Sequence, residues 1–203
     1  LLAPASLAIR LRFEIEILLK EETWEQSIDL LQKWGGLVLL DSKIQNDLQI
    51  KSKISLALKL NLEPLYVLIS TSNNPINLAN RLKITLRGHK ILKEQIELEK
   101  WLEKVRSKKE HVNWSPSQWC QELEAGQWSQ EAIALAISLK LENWETLLIW
   151  LDKWRHMKSP ISAQELIKQG WEPGPKLGAE IARLRKVYID SQDKRKKKNI
   201  NPT

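Results

Sequence analysis

The chain has little cysteine, glycine or proline and no long apolar run. Its single cysteine, Cys120, cannot form an internal disulfide. This excludes a disulfide-stabilised scaffold and is typical of the reducing cytosol, so we expect a cytoplasmic protein. No apolar run approaches the roughly 18 residues that a membrane span needs, so no membrane partner is expected. The first residues include neither an initiator methionine nor a basic signal-like region, which predicts that the chain is part of a longer protein.

The seven glycines and eight prolines lie between long segments rich in leucine, isoleucine, lysine and glutamate. Such segments favour helices. Helix starts are indicated at Thr23, Ser115 and Ser162, and Thr23 with Gln26 and Ser162 with Glu165 match the capping-box pattern. The sequence therefore predicts an all-α fold, an elongated array of about nine to eleven helices without a sheet.

One segment near the start has the period of a strand. Residues 9–17 alternate strictly between apolar and charged side chains, as in a half-buried strand. No second segment of this kind exists to pair with it, and an isolated strand leaves its backbone groups without partners. In a helix, Ile9, Phe13 and Ile17 would share one face and Arg10 would pair with Glu14. We therefore predict a helix here.

Basic residues are unevenly distributed. The formal net charge is +7, and residues 159–203 contain ten Lys and Arg against five Asp and Glu. A basic end on a nearly neutral body is typical of a protein that binds a polyanion, most simply nucleic acid. A second basic stretch, residues 81–109, has ten Lys and Arg against four Glu. It predicts one electropositive helix face, although a solvated surface with local ion pairs has the same composition.

The inventory of reactive side chains contains no complete active site. The three histidines have no metal-ligand spacing, and there is neither an Asp-x-Asp pair nor a glycine-rich phosphate loop. Cys120 lies inside a predicted helix, where a buried, unreactive thiol is favoured over a nucleophile. The chain by itself is not expected to be an enzyme.

Residues 161–184 predict a short capped helix, a tight turn and a second helix that begins at Pro175. The amides of residues 176–178 would lie free at the positive end of the helix dipole, with the charge of Lys176 beside them. Gly174 and Gly178 leave room for a phosphate or another backbone to approach. Helical hairpins of this kind bind a nucleic-acid backbone without reading its sequence.

A purely structural interpretation of the same turn stays open at this stage. Gly178 would let two short helices cross closely, with Trp171 packed between them.

Several motifs together resemble those of the bacterial-type (class II) tRNA nucleotidyltransferase and poly(A) polymerase family. The C-terminal signature of that family is matched by Pro160-Ile161-Ser162, Glu165-Leu166, Gly170 and Pro173-Gly174-Pro175-x-x-Gly178. Weaker matches are Arg10-Leu11-x-x-Glu14-Ile15, which resembles the neck motif, and Ala79-Asn80-Arg81-Leu82-Lys83-Ile84-Thr85, which resembles a body segment. The resemblance spans nearly the whole chain in the family's order.

The resemblance implies a division into neck, body and tail. Residues 1–44 would be the end of the neck, 45–112 the helical body, and 113–190 the tail with its RNA-binding hairpin. Residues 191–203, with the basic run Lys194–Lys198, are expected to be a disordered tail that adds nonspecific attraction to phosphate.

The family's catalytic motifs are missing. Its head has a Gly-Ser pair and an Asp-x-Asp metal site, its neck has Glu-Asp-x-x-Arg, and none of these occurs here. The resemblance therefore implies a nucleotidyltransferase parent whose head would bind Mg²⁺ and ATP or CTP, and a chain that needs no cofactor and is inactive alone. Whether the parent adds CCA, CC, A or a poly(A) tail stays open.

The resemblance also implies roles for individual residues, with tRNA or another structured RNA as the partner. Five would contact the RNA backbone: Gly174, Lys176, Gly178, Arg183 and Lys186. Arg10 and Glu14 would hold the neck together. From a different class, an all-α scaffold that binds another protein is the alternative function.

Ten tryptophans are present, and six of them fall into two groups. Three fall on the apolar stripes of predicted helices and are expected in the core: Trp34, Trp150 and Trp154. Three others stay open between core packing and stacking on unpaired bases: Trp114, Trp119 and Trp171.

Overall fold

A computed structural model of the chain describes residues 5–109 and 113–192. Within these two ranges the protein is all-α, without a strand, as predicted. They contain twelve α-helices, slightly more than expected. The additional helices include α3 (Ser42–Gln45) and α5 (Leu65–Thr71), which are too short for a helical period to show in the sequence. The predicted disordered tail, apart from residues 191 and 192, lies outside the described residues.

The helices belong to two compact units. The first unit includes residues up to Lys104 and Trp128–Leu147. Its helices are α1 (Ala5–Leu18), α2 (Trp24–Trp34), α3, α4 (Ile50–Lys59), α5, α6 (Pro75–Arg81), most of α7 (Leu86–Lys108) and α9 (Gln130–Ser138). The second includes Val105–Gln127 and the chain from Leu148 onward, and contains α8 (Pro116–Ala125), the end of α10 (Trp144–Asp152), α11 (Ala163–Lys168) and α12 (Pro175–Ser191). No helix in the described ranges is both long and apolar enough to span a membrane.

Most helix ends lie where the sequence places them. Ser115 and Ser162 both form complete capping boxes, and α2 ends before Gly35, which adopts the left-handed conformation with φ 75°. Thr23 is the exception. It occupies the N-cap position of α2 at φ −96° and ψ 17° without a side-chain cap bond, because a capping side chain reaches the free amides only from extended backbone.

The segment with strand-like alternation is the helix α1, as predicted. Arg10 Nε lies 3.7 Å from Glu14 Oε1, which confirms the expected i, i+4 pair. Ala8 and Ile15 of this helix are buried, as is Leu19 directly after its end. The face with Ile9, Phe13 and Ile17 is exposed.

The core of the first unit surrounds α9, in which every residue from Ala132 to Ser138 is buried. Helices α4 and α5 contact α9 and each other. At the start of α7, Gly88 lies against α5: a Cβ at this position would lie 2.9 Å from Tyr66 Cε1 and 3.0 Å from Ile84 Cδ1. Gly88 therefore permits a close approach that no larger residue allows without movement of its neighbours.

The tryptophans divide between core and surface differently from the prediction. Trp150 and Trp154 are buried as expected, and Trp119 is buried too. Trp34 was expected in the core, but its side chain is 73% exposed. It is the last residue of α2, before the Gly35 turn. Because it follows buried Ile28 by six residues, it lies about 120° around the helix from the buried side.

Candidate nucleic-acid interface

The predicted hairpin is present in the second unit as α11, a turn and α12. The Ser162 amide donates to Glu165 Oε2 (2.8 Å) and the Glu165 amide to Ser162 Oγ (3.2 Å), which fixes the start of α11. At its end, the amides of Gly170 and Trp171 donate to the carbonyls of Ile167 and Leu166. This is the Schellman arrangement, with Gly170 at φ 99°. Both ends of α11 are therefore satisfied locally, so the turn has a defined starting direction.

The start of α12 leaves backbone donors without a cap. Gly174, at φ 149°, is the N-cap residue and has no side chain to accept a hydrogen bond, and Pro175 occupies the first helical position. The prediction that the Gly178 amide is free was wrong, because it donates to the Gly174 carbonyl at 3.2 Å. The uncapped donors are thus the amides of Lys176 and Leu177. Residues 169–176 line a cleft of about 570 Å³ at this point.

Gly178 does not allow a close helix crossing. A Cβ built at this position has no atom within 4 Å in the described structure. Trp171 is 37% exposed, so it does not fill a space between crossing helices. The structural interpretation of the glycine is therefore wrong, and the open space beside Gly178 is accessible to an outside molecule.

One face of α12 is exposed and basic. Leu177 and Ile189 anchor the helix on its buried side. The exposed residues of the helix include the three predicted cations, small residues and one large apolar residue: Lys176, Arg183, Lys186, Gly178, Ala179, Ala182 and Val187. Lys176 and Arg183 share one side, whereas Gly178, two residues after Lys176, lies on the other side of the first turn. The structure thus places all five predicted RNA contacts on the same helix, or at its N-cap.

The three cations differ in their partners. Lys176 forms no ion pair with any described residue. Arg183 donates two hydrogen bonds to Glu180, at 2.8 and 2.7 Å, which raises the pKa of Arg183 and lowers that of Glu180. Lys186 donates to Gln121 Oε1 at 2.9 Å. Exposed pairs of this kind contribute little to stability, so phosphate can replace them at small cost.

Arg185 lies on the same helix but has a structural role. Its guanidinium donates two bonds to Glu124 of α8, at 3.0 and 2.6 Å, and one to the Met157 carbonyl. The hydrogen bonds to Glu124 raise the pKa of Arg185. Arg185 does not belong to the RNA-facing cations, because helical geometry places position 185 on the opposite side of α12 from Lys176.

Asp190 fixes the far end of α12 to the start of α8, which the sequence analysis missed. Its carboxylate accepts from the Ser117 amide (2.9 Å), the Ser117 hydroxyl (2.8 Å) and the Ser115 hydroxyl (3.3 Å). A carboxylate at a helix N-terminus also interacts favourably with the helix dipole. No local sequence signal links residues so far apart in the chain.

We expect Asp190→Asn to destabilise the second unit by about 1 kcal/mol, because the amide keeps the shape but loses the charge-assisted bonds. Chemical unfolding followed by near-ultraviolet circular dichroism measures this change. Asp152→Asn, at an exposed carboxylate of the same unit, is the control and should leave the unfolding midpoint unchanged. Equal midpoints for both variants would contradict the role assigned to Asp190.

A second basic surface lies in the first unit along α7. Four exposed lysines lie on one side of this helix, with Glu97 as the acidic residue among them: Lys90, Lys93, Lys100 and Lys104. This confirms the expected electropositive face. Local ion pairs, as expected for an ordinary solvated surface, also occur on this helix. Lys90 Nζ lies 3.7 Å from Glu94 Oε1.

The neck-motif residues have a local role. Arg10 pairs with Glu14 on the surface of α1, and neither side chain forms a hydrogen bond or ion pair with a described residue outside α1. Two other arginines hold chain segments together: Arg12 donates to the Lys83 carbonyl and Arg81 to the carbonyls of Leu39 and Leu40. Arg12 occupies an unmatched position of the neck motif, whereas Arg81 belongs to the matched body segment.

The described residues form no metal-binding cluster, and their one cysteine is unreactive. Within residues 5–109 and 113–192, no group of three or more His, Cys, Asp or Glu side chains is arranged to hold a metal ion. Cys120 is buried, and burial raises the pKa of its thiol to about 12. The thiol is therefore neutral at pH 7 and a poor nucleophile.

Comparison with known proteins adds no relative to this picture. No family model, no curated protein and no solved structure matches the chain. The functional conclusion therefore depends on the geometry of the hairpin and on the motifs of the sequence.

Proposed function

We propose that this chain binds structured RNA, such as tRNA, through the sugar-phosphate backbone. We further propose that it is the neck, body and tail part of a nucleotidyltransferase similar to the class II tRNA nucleotidyltransferase and poly(A) polymerase family. In such a parent the catalytic head supplies the metal and nucleotide chemistry, and this chain positions the RNA.

The observation that carries the proposal is the exposed face of α12. It presents three cations together with the two uncapped backbone amides at the helix start, on a helix that is anchored from behind. The open space beside Gly178 lies in the same first turn, on its other side. Positive charge attracts phosphate, amides at a helix N-terminus donate to it, and small residues let the RNA backbone come close.

The chemistry of the face favours recognition of shape over sequence. Lysine and arginine contacts to phosphate fix the position of a nucleic acid but do not discriminate bases. Double-stranded RNA is recognised in this way, through phosphates and 2′-hydroxyl groups, because side chains cannot read its deep major groove. The lysines of α7 supply a second surface of the same kind.

Lys176→Glu tests the proposal. We expect it to weaken tRNA binding about 10-fold at 100 mM salt, and to lower the slope of log affinity against log salt by about 1, because one phosphate contact is lost. Fluorescence anisotropy with labelled tRNA and with a tRNA minihelix measures both quantities. Lys59→Glu, at an exposed lysine at the end of α4, is the matched control for net charge.

Two outcomes would overturn the RNA assignment. One is equal weakening by Lys176→Glu and Lys59→Glu, which would show a response to net charge alone. The other is tRNA binding no tighter than heparin binding. The family assignment has a separate test: the coding sequence upstream of Leu1 should encode a Gly-Ser pair, Asp-x-Asp and Glu-Asp-x-x-Arg.

A protein-binding scaffold is the second candidate, favoured by an exposed apolar patch at the end of α2. Leu30, Trp34, Val38 and Leu39 all expose more than two fifths of their surface, and exposed tryptophans are frequent energetic centres of protein interfaces. This function predicts that Lys176→Glu leaves tRNA affinity unchanged.

A further inference from the structure

The helix α1 exposes an apolar stripe that neither the core nor the RNA proposal uses. Ile9, Phe13 and Ile17 are 38%, 49% and 58% exposed, and their i, i+4 spacing places them in one row along the helix. Ala8, Ile15 and Leu19 bury the opposite side. A contiguous exposed apolar row next to a well-buried one is typical of a contact surface.

The sequence of this helix is symmetric about Phe13, with the charges inverted. Reading outward from Phe13 in both directions, apolar residues meet apolar residues, and each arginine on one side corresponds to a glutamate on the other: Arg12 to Glu14, Arg10 to Glu16, Leu11 to Ile15, and Ile9 to Ile17. The apolar row of an antiparallel copy therefore matches this row residue for residue. Arg12 and Glu14, like Arg10 and Glu16, lie on opposite flanks of the row, so the charges that meet are those of a single flank.

We propose that α1 pairs antiparallel with α1 of a second copy of the chain, about a two-fold axis at Phe13. In this pairing Phe13 meets its own equivalent, and Ile9 of each copy meets Ile17 of the other. Two-fold interfaces are built in this way, with residue i contacting j and j contacting i.

The charged flank beside the stripe fixes the direction of the pairing. Arg10 and Glu14 are exposed, with side-chain exposures of 79% and 64%. In an antiparallel pair the same flank of both helices meets, so Arg10 of one copy lies next to Glu14 of the other. A parallel pair would instead bring this flank against the opposite flank of the other copy, where Arg12 and Glu16 already pair with each other. The other flank is occupied within the chain, since Arg12 donates to the Lys83 carbonyl.

A helix of this length offers a small interface, so the dimer should be weak. We expect a dissociation constant on the order of 100 μM at low salt. Sedimentation velocity of the full chain at roughly 10 to 500 μM should then show conversion from monomer to dimer. A monomer over this whole range overturns the proposal.

Phe13→Glu should raise the dissociation constant more than about 30-fold, because two carboxylates would meet on the axis. Leu48→Glu makes the same change at a residue that is 94% exposed in the turn before α4, and should leave dimerisation unchanged. Equal loss in both variants would contradict a contact centred on Phe13. Far-ultraviolet circular dichroism checks that α1 stays helical.

A mixing experiment separates contacts between copies from the pair within α1. Arg10→Glu and Glu14→Arg should each weaken self-association about 5-fold, because each places like charges together twice. Mixing the two variants should restore a dimer at least as tight as the wild type, formed from one copy of each. If the mixture stays as weak as its components, the charges act only within their own helix and the antiparallel pairing is wrong.

Disulfide trapping gives a second, geometric readout. Phe13→Cys should form a crosslinked dimer under mild oxidation, since the residue on a two-fold axis meets itself. Ile9→Cys should not crosslink to itself, because it meets position 17 of the other copy. Native Cys120 is buried and does not compete. Crosslinking of both variants to the same extent would indicate a parallel or nonspecific contact instead.

Discussion

Reversing all three cations of the α12 face, with Lys176→Glu, Arg183→Glu and Lys186→Glu together, should reduce tRNA affinity more than about 100-fold at 100 mM salt. Each cation neutralises one phosphate, and each glutamate that replaces it repels the same phosphate. The slope of log affinity against log salt should fall by about 2 to 3. Binding to unrelated duplex RNA should fall in proportion, because no base is read.

The matched control is a triple reversal of lysines that belong to neither basic surface. Lys33, Lys59 and Lys158 are exposed, and their replacement by glutamate changes the net charge by the same amount. This control should lose less than about 5-fold in tRNA affinity, because it lowers only the overall positive potential of the protein. Similar losses in both triple variants would show that the α12 face has no special part in RNA binding.

Valine at two helical glycines should have opposite consequences. Gly88→Val should destabilise the first unit by about 3 kcal/mol, since even the first added carbon would lie 2.9 Å from the Tyr66 ring and overpacking of this kind is costly. Gly178→Val meets no atom within 4 Å and should leave the stability within about 0.5 kcal/mol of the wild type. Thermal unfolding by circular dichroism measures both.

In RNA binding the order of the two variants should be reversed, with Gly178→Val more strongly affected than Gly88→Val. Folded Gly88→Val should bind tRNA normally below its unfolding temperature. Gly178→Val should weaken binding about 10-fold, because the branched side chain fills the space into which the RNA backbone would come. A Gly178→Val protein that is stable and binds tRNA with full affinity would remove the open glycine from the proposed interface.

Local features of the fold could be predicted from the sequence, whereas tertiary placement could not. The capping boxes at Ser115 and Ser162 and the glycine end of α2 depend on neighbouring residues, so the sequence contains all the information needed. The burial of Trp34 depends on whether another element covers the end of α2, and helical periodicity alone does not determine that. The same limit explains why the outward direction of the α1 stripe was not predicted.

The candidate site shows the same division. The positions of Gly174, Lys176 and Gly178 around a helix start followed from Pro175 and the motif spacing. That Arg183 faces outward while Arg185 binds Glu124 required the position of α8. The role of Asp190 was also out of reach, because its partners lie 73 and 75 residues away.

The bond between Asp190 and Ser117 sets an order of events during synthesis. The Ser117 amide and hydroxyl must wait for an acceptor that is made 73 residues later, which at about 5 to 20 residues per second is roughly 4 to 15 seconds of translation. During this interval α8 can form only through the local capping box of Ser115. The tail therefore reaches its final packing only once the ribosome has passed Asp190, so a stop codon in α12 at or before that position would also deprive α8 of its distant cap.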